Sequence, residues 1–350
     1  MKRSITYRDA LVEAQFQEME KDASVFVYGL DVQDHKKIFG STATLLEKFG
    51  KERVFGVPLS EDALMGVGVG AAINGMRPIN IHIRVDFLLL AMNQIANMVS
   101  NYRYITDGKL KVPLCIRAVI GRGWGQGAQH SKTLHSFFAH IPGLKVVMPT
   151  TPADAKGLLV ASIREDNPVV FLEHRWLYDV PGEVESDPDK AFIPLGVGKK
   201  IKEGKDATVV ATSWMNVEAL KAAEILSKKH GVEIEIIDPR TIEPLDEKII
   251  MESVAKTGHA IVADYDWINC GFSAEVSARI QENLLTSLKS PVTRLGFAKT
   301  PCPTTRPLEN KFYPNAIDII KAIEKKLRLK ETDISGEEFY SYEKKFKGPF

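Results

Sequence analysis

Cysteine, net charge and long apolar runs are all scarce in this sequence, and each shortage removes a class of protein. Only Cys115, Cys270 and Cys302 occur in 350 residues, far apart and without a CxxC pair. That argues against a zinc site or a disulfide framework and suits a reducing compartment. A formal net charge of +1 leaves no electrostatic footprint for nucleic acid or for an anionic membrane. No uninterrupted apolar run is long enough to span a bilayer. The opening MKRSITYRDALVEAQ turns polar at once and lacks the apolar core of a signal peptide. These absences lead us to expect a soluble, cytoplasmic protein with no nucleic-acid or membrane partner. There is also no GxxxxGK[ST] phosphate loop, no internal repeat and no low-complexity stretch. What is present is a globular mix, 44% hydrophobic and 26% charged, over a length that suits two domains.

Strand-like and helix-like segments alternate throughout, which predicts an α/β fold of two open, mostly parallel sheets flanked by helices. In the first half, strands are expected at 24–30, 77–83, 112–121, 144–149 and 168–174. Helices are expected at 5–21, with Thr6 as N-cap, at 87–105 and at 153–165. Asp179–Pro194 is rich in Pro, Gly, Asp and Glu with weak periodicity, so it reads as an interdomain linker before a second unit. In that unit strands fall at 207–212, 232–238, 259–264 and 291–296. Helices fall between them at 216–229, 246–256 and 272–288. The chain thus divides into residues 1–185, a linker 186–200, a second domain 201–330 and a polar tail 331–350. The tail is either disordered or strapped onto a partner.

Residues 55–72, FGVPLSEDALMGVGVGAA, hold a glutamate that needs a reason. An apolar strand ends at Ser60-Glu61-Asp62, and the following helix is apolar on nearly every face, so burial all round is expected. Glu61 then stands at the mouth of a buried strand-to-helix turn, where an unpaired carboxylate is costly. Gly66-x-Gly68-x-x-Ala71 fits a loose dinucleotide fingerprint, but its glycines lie inside the helix rather than in the preceding turn. They read as small residues that let the helix pack closely. A second unusual stretch is 121–130, where Gly121, Gly123, Gly125 and Gly127 alternate with Arg122, Trp124, Gln126, Gln129 and His130. Four glycines among long polar and aromatic groups suit a loop that approaches a ligand. His130, His135 and His140 are five apart and would not share a helix face, which disfavours a three-histidine metal site. For His135 and His140 the simpler reading is a hydrogen-bonded core or surface histidine.

At this point the residues resemble a known family. Ordered stretches ERVFGVPLSE (52–61), GAAINGMRPI (70–79), AQHSKTLHSFFAHIPGLKVVMP (128–149), DAKGLL (154–159), NPVVFLEH (167–174), IDPRTIEPLD (237–246) and GFSAEVSARI (271–280) carry the likeness. They resemble the beta subunits of the thiamine-diphosphate-dependent decarboxylating components of 2-oxo acid dehydrogenases, of pyruvate and branched-chain type. The resemblance implies a pyrimidine-binding, transketolase-like domain followed by a transketolase C-terminal-type domain. It implies that Glu61, in Pro58-Leu59-Ser60-Glu61, hydrogen-bonds the pyrimidine ring of thiamine diphosphate and helps to activate its reactive carbon. Leu59, Ile83 and Phe87 fall where the family packs apolar groups against that ring. His130 matches the family histidine that faces the reacting centre, with a role in binding substrate and in acyl transfer to lipoamide. Leu114, Ser162, Ile163, Glu165 and Asn167 match a segment where some relatives hold a structural potassium ion, mainly through backbone oxygens.

One absence gains meaning from the resemblance. Thiamine enzymes hold magnesium and the diphosphate with a Gly-Asp-Gly motif, and this chain has none; Thr106-Asp107-Gly108 is the nearest string. An alpha subunit is therefore expected to supply that half of the site in an α2β2 heterotetramer, with a lipoyl acyltransferase core as a further partner. Departures from the family bear on the link between active sites, on docking and on the substrate. Leu30, after Gly29, and Asn93 stand where relatives usually carry acids of a buried channel between the two active sites, and Leu90 stands where they carry a cofactor-facing glutamine. GFAKTPCPTTRPLE (296–309) lacks an acidic residue of the surface that docks the core. In the altered loop, Arg122 is a candidate partner for a substrate carboxylate and Trp124 for shaping the pocket, with His135 a third candidate contact. Two other readings stay open: half of a split transketolase-like or acyloin-forming enzyme without a lipoyl partner, and a scaffold subunit that keeps the fold alone.

Overall fold

A computed structural model describes residues 1–122 and 125–340 of the chain. Trp124 and the end of the tail, 341–350, lie outside the described residues. The first part contributes β1 (Lys2–Thr6), β2 (Val25–Gly29), β3 (Val54–Gly56), β4 (Arg77–His82), β5 (Cys115–Ile120), β6 (Lys145–Val147), β7 (Val169–His174) and β8 (Pro181–Glu185). The second contributes β9 (Lys199–Lys202), β10 (Ala207–Ala211), β11 (Ile234–Asp238), β12 (Thr241–Glu243), β13 (Ala260–Trp267) and β14 (Thr293–Phe297). No helix among the described residues is long and apolar enough to cross a membrane.

Two main sheets result. A seven-stranded sheet runs in the order β12-β6-β7-β5-β4-β2-β3, parallel except for β12. A five-stranded sheet runs β14-β13-β10-β11-β9, parallel except for β9. Strands β2, β5 and β7 are buried on both faces, as parallel strands covered by helices must be, which explains their unbroken apolar sequences. Helix Tyr7–Lys21 starts where Thr6 accepts from the Asp9 N–H, and helix Pro152–Arg164 starts in a reciprocal Thr151–Asp154 capping box with proline at its first position.

Several stretches differ from the sequence reading, each for a physical reason. Residues 179–194 are ordered rather than plain linker: β8 pairs antiparallel with β1, and Pro188–Ala191 forms a helical turn. Strand β12 comes from the second half of the chain yet joins the first sheet at β6, and Arg240 just before it donates to Asp154 at 3.1 Å. The described part of the tail, 331–340, straps onto its own chain. Thr332 Oγ1 lies 3.0 Å from His230, Glu337 pairs with Lys228 at 3.3 Å, and Tyr340 meets Trp214 edge-on at 5.3 Å. The helical run expected at 87–105 begins at Val85 and passes through a π-helical segment, Asn93–Val99. Helix Glu61–Ile73 is not buried all round: Met65, Gly68, Val69 and Ala72 face the core, whereas Val67 is 56% exposed.

Candidate active site

The pocket that holds Glu61 forms at the carboxyl ends of β2, β3 and β4, where open α/β sheets bind ligands. Strand β3 leads through Val57-Pro58-Leu59-Ser60 into the helix that Glu61 begins, so the carboxyl stands in the first turn beside the helix N-terminus. Glu61 is half-buried there. The same pocket is lined by Leu59, Ile83 and Phe87, with Asn80 and His82 from the end of β4. His130 is adjacent, its ring edge-on to Phe87 at 5.2 Å between centroids. The fold therefore gathers Glu61, Leu59, Ile83, Phe87 and His130 from three separated stretches of chain.

A glycine explains how the Glu61 helix sits so close to β2. A Cβ at Gly68 would lie 2.0 Å from Tyr28 Oη, and that hydroxyl donates to the Leu64 carbonyl at 3.0 Å. The small residues serve helix packing, as their place inside the helix indicated.

Other expected residues lie elsewhere. Arg122 points inward instead of presenting a free guanidinium to substrate. It donates to Asn310 Oδ1 at 2.5 Å and sits over the rings of Trp176 and Tyr313 at 4.6 and 4.9 Å. A carboxylate would have to displace these contacts. His135 is fully buried at the seam between the two halves, its Nε2 3.0 Å from Asp264 and its Nδ1 3.7 Å from Asp266. It reads as a core histidine, not a substrate contact. Beside it opens a cavity of about 750 Å³ lined by Phe137, Trp267, Phe272 and Asp266. That cavity is far larger than the Glu61 pocket but shares no lining residue with it. The pocket at Glu61 encloses only about 20 Å³, room for roughly one water, so on this chain it is one wall of a site.

At the expected potassium segment, the carbonyls of Ile163 and Glu165 already accept from Arg77 Nη1 at 3.0 and 3.2 Å. Ser162 Oγ donates to the Leu158 carbonyl at 2.7 Å, the Leu114 carbonyl accepts from Val169, and Asn167 donates to Glu165. A potassium ion would share the Ile163 and Glu165 carbonyls with a guanidinium. No group of three or more His, Cys, Asp or Glu side chains among the described residues is arranged to hold a metal.

Two pocket neighbours escaped the sequence reading. His82 lies with its Nε2 against Asn80 Oδ1, and burial pushes its pKa down to about 4, so the imidazole is neutral. Arg84, which follows Ile83, reaches the glycine loop. The available signal was polar residues at 80, 82 and 84, alternating with Ile81 and Ile83 in and just beyond a buried strand.

Comparison with known proteins bears on this arrangement directly. The family described as "Transketolase, pyrimidine binding domain" matches residues 3–181, and "Transketolase, C-terminal domain" matches residues 196–319. The chain belongs to the transketolase-type beta subunits of thiamine-dependent enzymes. It is 39% identical to the acetoin:2,6-dichlorophenolindophenol oxidoreductase subunit beta of Cupriavidus necator, over 94% of this chain and 99% of that protein. It is 39% identical to the 2-oxoisovalerate dehydrogenase subunit beta of Bacillus subtilis, covering 92% and 98%. The human mitochondrial pyruvate dehydrogenase E1 component subunit beta is 38% identical, covering 93% and 91%. Among solved structures, a split gene transketolase described as an inactive beta4 tetramer superposes with TM-score 0.74 at 25% identity, covering 93% and 99%. In this chain Glu61 is a half-buried carboxyl in a pocket lined by Leu59, Ile83 and Phe87 together with Asn80 and His82.

Proposed function

We propose that this chain is the beta half of a two-chain, thiamine-diphosphate-dependent dehydrogenase that decarboxylates a 2-oxo acid and passes the acyl group to lipoamide. The observation that carries the reading is the pocket uniting Glu61 with Leu59, Ile83 and Phe87, beside His130. When bound, thiamine diphosphate supplies a carbon nucleophile and an electron sink for the loss of carbon dioxide. Ile83 and Phe87 present apolar surface to a ring, and Leu59, 75% exposed at the rim, awaits cover. The Glu61 carboxyl holds a proton at a ring nitrogen. His130 stands where it can donate a hydrogen bond to a substrate oxygen.

An alpha chain with the diphosphate and magnesium ligands completes the site in an α2β2 assembly. Exposed apolar side chains beside Glu61 support a partner there. Leu59, Val67 and Leu90 are 75%, 56% and 61% exposed on neighbouring segments, more than a solitary surface tolerates comfortably. A lipoyl acyltransferase core is the acceptor this reading requires. Potassium, if held at 162–167, shares its oxygens with Arg77.

A second reading is favoured by the acetoin oxidoreductase relative and the split transketolase neighbour. In it the same half-site cleaves or forms a 2-hydroxyketone. The test is to co-purify the chain with its alpha partner, supply thiamine diphosphate and magnesium, and assay 2-oxo acids, acetoin and ketose phosphates with a dye acceptor, then with lipoamide. Turnover of a 2-oxo acid that lipoamide accelerates is expected; turnover of acetoin or a ketose alone would replace the first reading by the second.

A further inference from the structure

The loop that carries His130 has an unusual backbone and needs something to hold it. Gly121, Gly125 and Gly127 have φ of +88°, +58° and +67°, in the left-handed region that glycine enters freely. A Cβ at Gly121 would lie 2.4 Å from His174 Nε2, so the chain must also pass very close to β7. Glycines give such a loop many alternative shapes, and ordering one of them costs conformational entropy.

We propose that Arg84 and Asp86 are positioning residues: they clamp the loop at Gly121, Gln126 and Lys132 and so hold His130 against Phe87. This rests on the assignment of Glu61 and His130 to the active site. One guanidinium spans the loop. Arg84 Nη1 donates to Gln126 Oε1 at 2.5 Å, and its Nη2 donates to the Gly121 carbonyl. The planar fork fixes the separation of two loop residues at once, which a lysine ammonium cannot do. Asp86 grips the far side. Lys132 Nζ lies 3.0 Å from Asp86 Oδ1 and donates to the Ala128 carbonyl at 2.8 Å, and His130 sits between those two residues. Arg84 and Asp86 are 4% and 8% exposed and lie 3.7 Å apart, so each buried charge also faces the other.

The segment 83–87 thus has two functions, one at its ends and one inside it. Ile83 and Phe87 line the Glu61 pocket; Arg84 and Asp86 hold the loop. Phe87 follows Asp86 directly, and its ring is the one His130 meets. Pocket wall and loop are thereby set by one short piece of chain, so a shift of either moves His130 relative to the cofactor wall. The blander account is that the Arg84–Asp86 group merely supports the core.

The two accounts separate in a double-mutant cycle on the purified complex of this chain with its alpha partner, loaded with thiamine diphosphate and magnesium. Arg84→Lys should lower kcat about 10- to 100-fold, the scale of a small misplacement of a catalytic group. Thiamine diphosphate affinity should stay within about 3-fold, because the Glu61 wall is untouched. Arg84→Lys added to His130→Gln should cost no further kcat, since residues acting as one unit are not additive. A full multiplicative loss in the double variant, or wild-type kcat in Arg84→Lys, overturns the clamp and leaves the active-site reading standing. Wild-type kcat in His130→Gln would instead remove His130 from the site, and the clamp with it. If Arg84→Lys does not assemble, Gln126→Ala deletes a neutral loop anchor, and the same kcat loss at unchanged cofactor affinity is required of it.

Discussion

Arg117 and Glu173 lie fully buried on the neighbouring strands β5 and β7, joined by two hydrogen bonds of 2.8 Å each. Gln15 Oε1 and Ser41 Oγ accept from the same guanidinium at 2.7 and 3.1 Å. Such a pair is weak evidence of net stabilisation, but removing one partner strands a charge in the core. Glu173→Gln should therefore cost about 3–5 kcal/mol of stability, read from denaturant unfolding; a loss below about 1 kcal/mol would mean that the pair is not the isolated buried charge the geometry describes. At this scale the resemblance points to Leu59 and Glu61 through the string 52–61 and to Ile83 and Phe87 by their position beyond the string 70–79, and the fold brings all four to one pocket. Arg122 misled because a glycine-spaced loop carries no period from which to read facing. Its guanidinium turned inward to two aromatic rings instead. Arg84 was missed because nothing in one sequence shows that a residue beside a strand end meets a loop 37 positions later.

The Glu61 helix and β2 approach closely only because Gly68 has no side chain. Gly68→Ala would drive a methyl group into the Tyr28 hydroxyl and push the helix away from the strand, at about 1–3 kcal/mol by the usual cost of overpacking. At Gly70 in the same helix, an added methyl group would meet nothing within 4 Å. Gly70→Ala should therefore be neutral or stabilising by up to about 1 kcal/mol in this chain. Equal effects from the two substitutions, measured by chemical unfolding, would contradict the packing argument. Elements with strong periodicity were legible: β2, β4, β7 and the helix Pro152–Arg164 fall within a residue or two of expectation. Short edge elements were not. Strand β9 reads Lys-Lys-Ile-Lys and β12 has three residues, so neither carries an apolar alternation, and each exists because a neighbouring strand offers an unpaired edge. The π-helical segment was invisible for a similar reason, since its register shift leaves the local composition unchanged.

The two halves of the molecule meet over ionisable groups, which makes their union sensitive to pH. Burial pushes His135 down, but Asp264 and Asp266 outweigh it and hold the imidazole above its ordinary 6.5. Burial raises Asp266 to about 6, partly opposed by His135. Both groups bind protons more tightly in the folded state. The stability they lend is full below their unfolded values and fades with rising pH, between about 4 and 6 for Asp266 and upward from 6.5 for His135. Between pH 6.5 and 9 the wild-type chain should lose more stability than His135→Gln; parallel stability curves would contradict that role for the seam. Two mostly parallel sheets were legible from the sequence, but their interlocking through β12, Arg240 and the residues up to Tyr340 was not, because it depends on contacts far apart in the chain. At this largest scale we propose that the chain holds one wall of a shared active site through Glu61. The most direct measurement is thiamine-diphosphate-dependent carbon dioxide release from a 2-oxo acid by this chain alone, by the purified pair with its alpha partner, and by the pair carrying Glu61→Ala. Release is expected only from the intact pair, with the Glu61→Ala complex assembled but slowed at least about 100-fold, as for loss of a proton-transfer group. Release from the chain alone, or an assembled Glu61→Ala pair as active as the wild type, would contradict it.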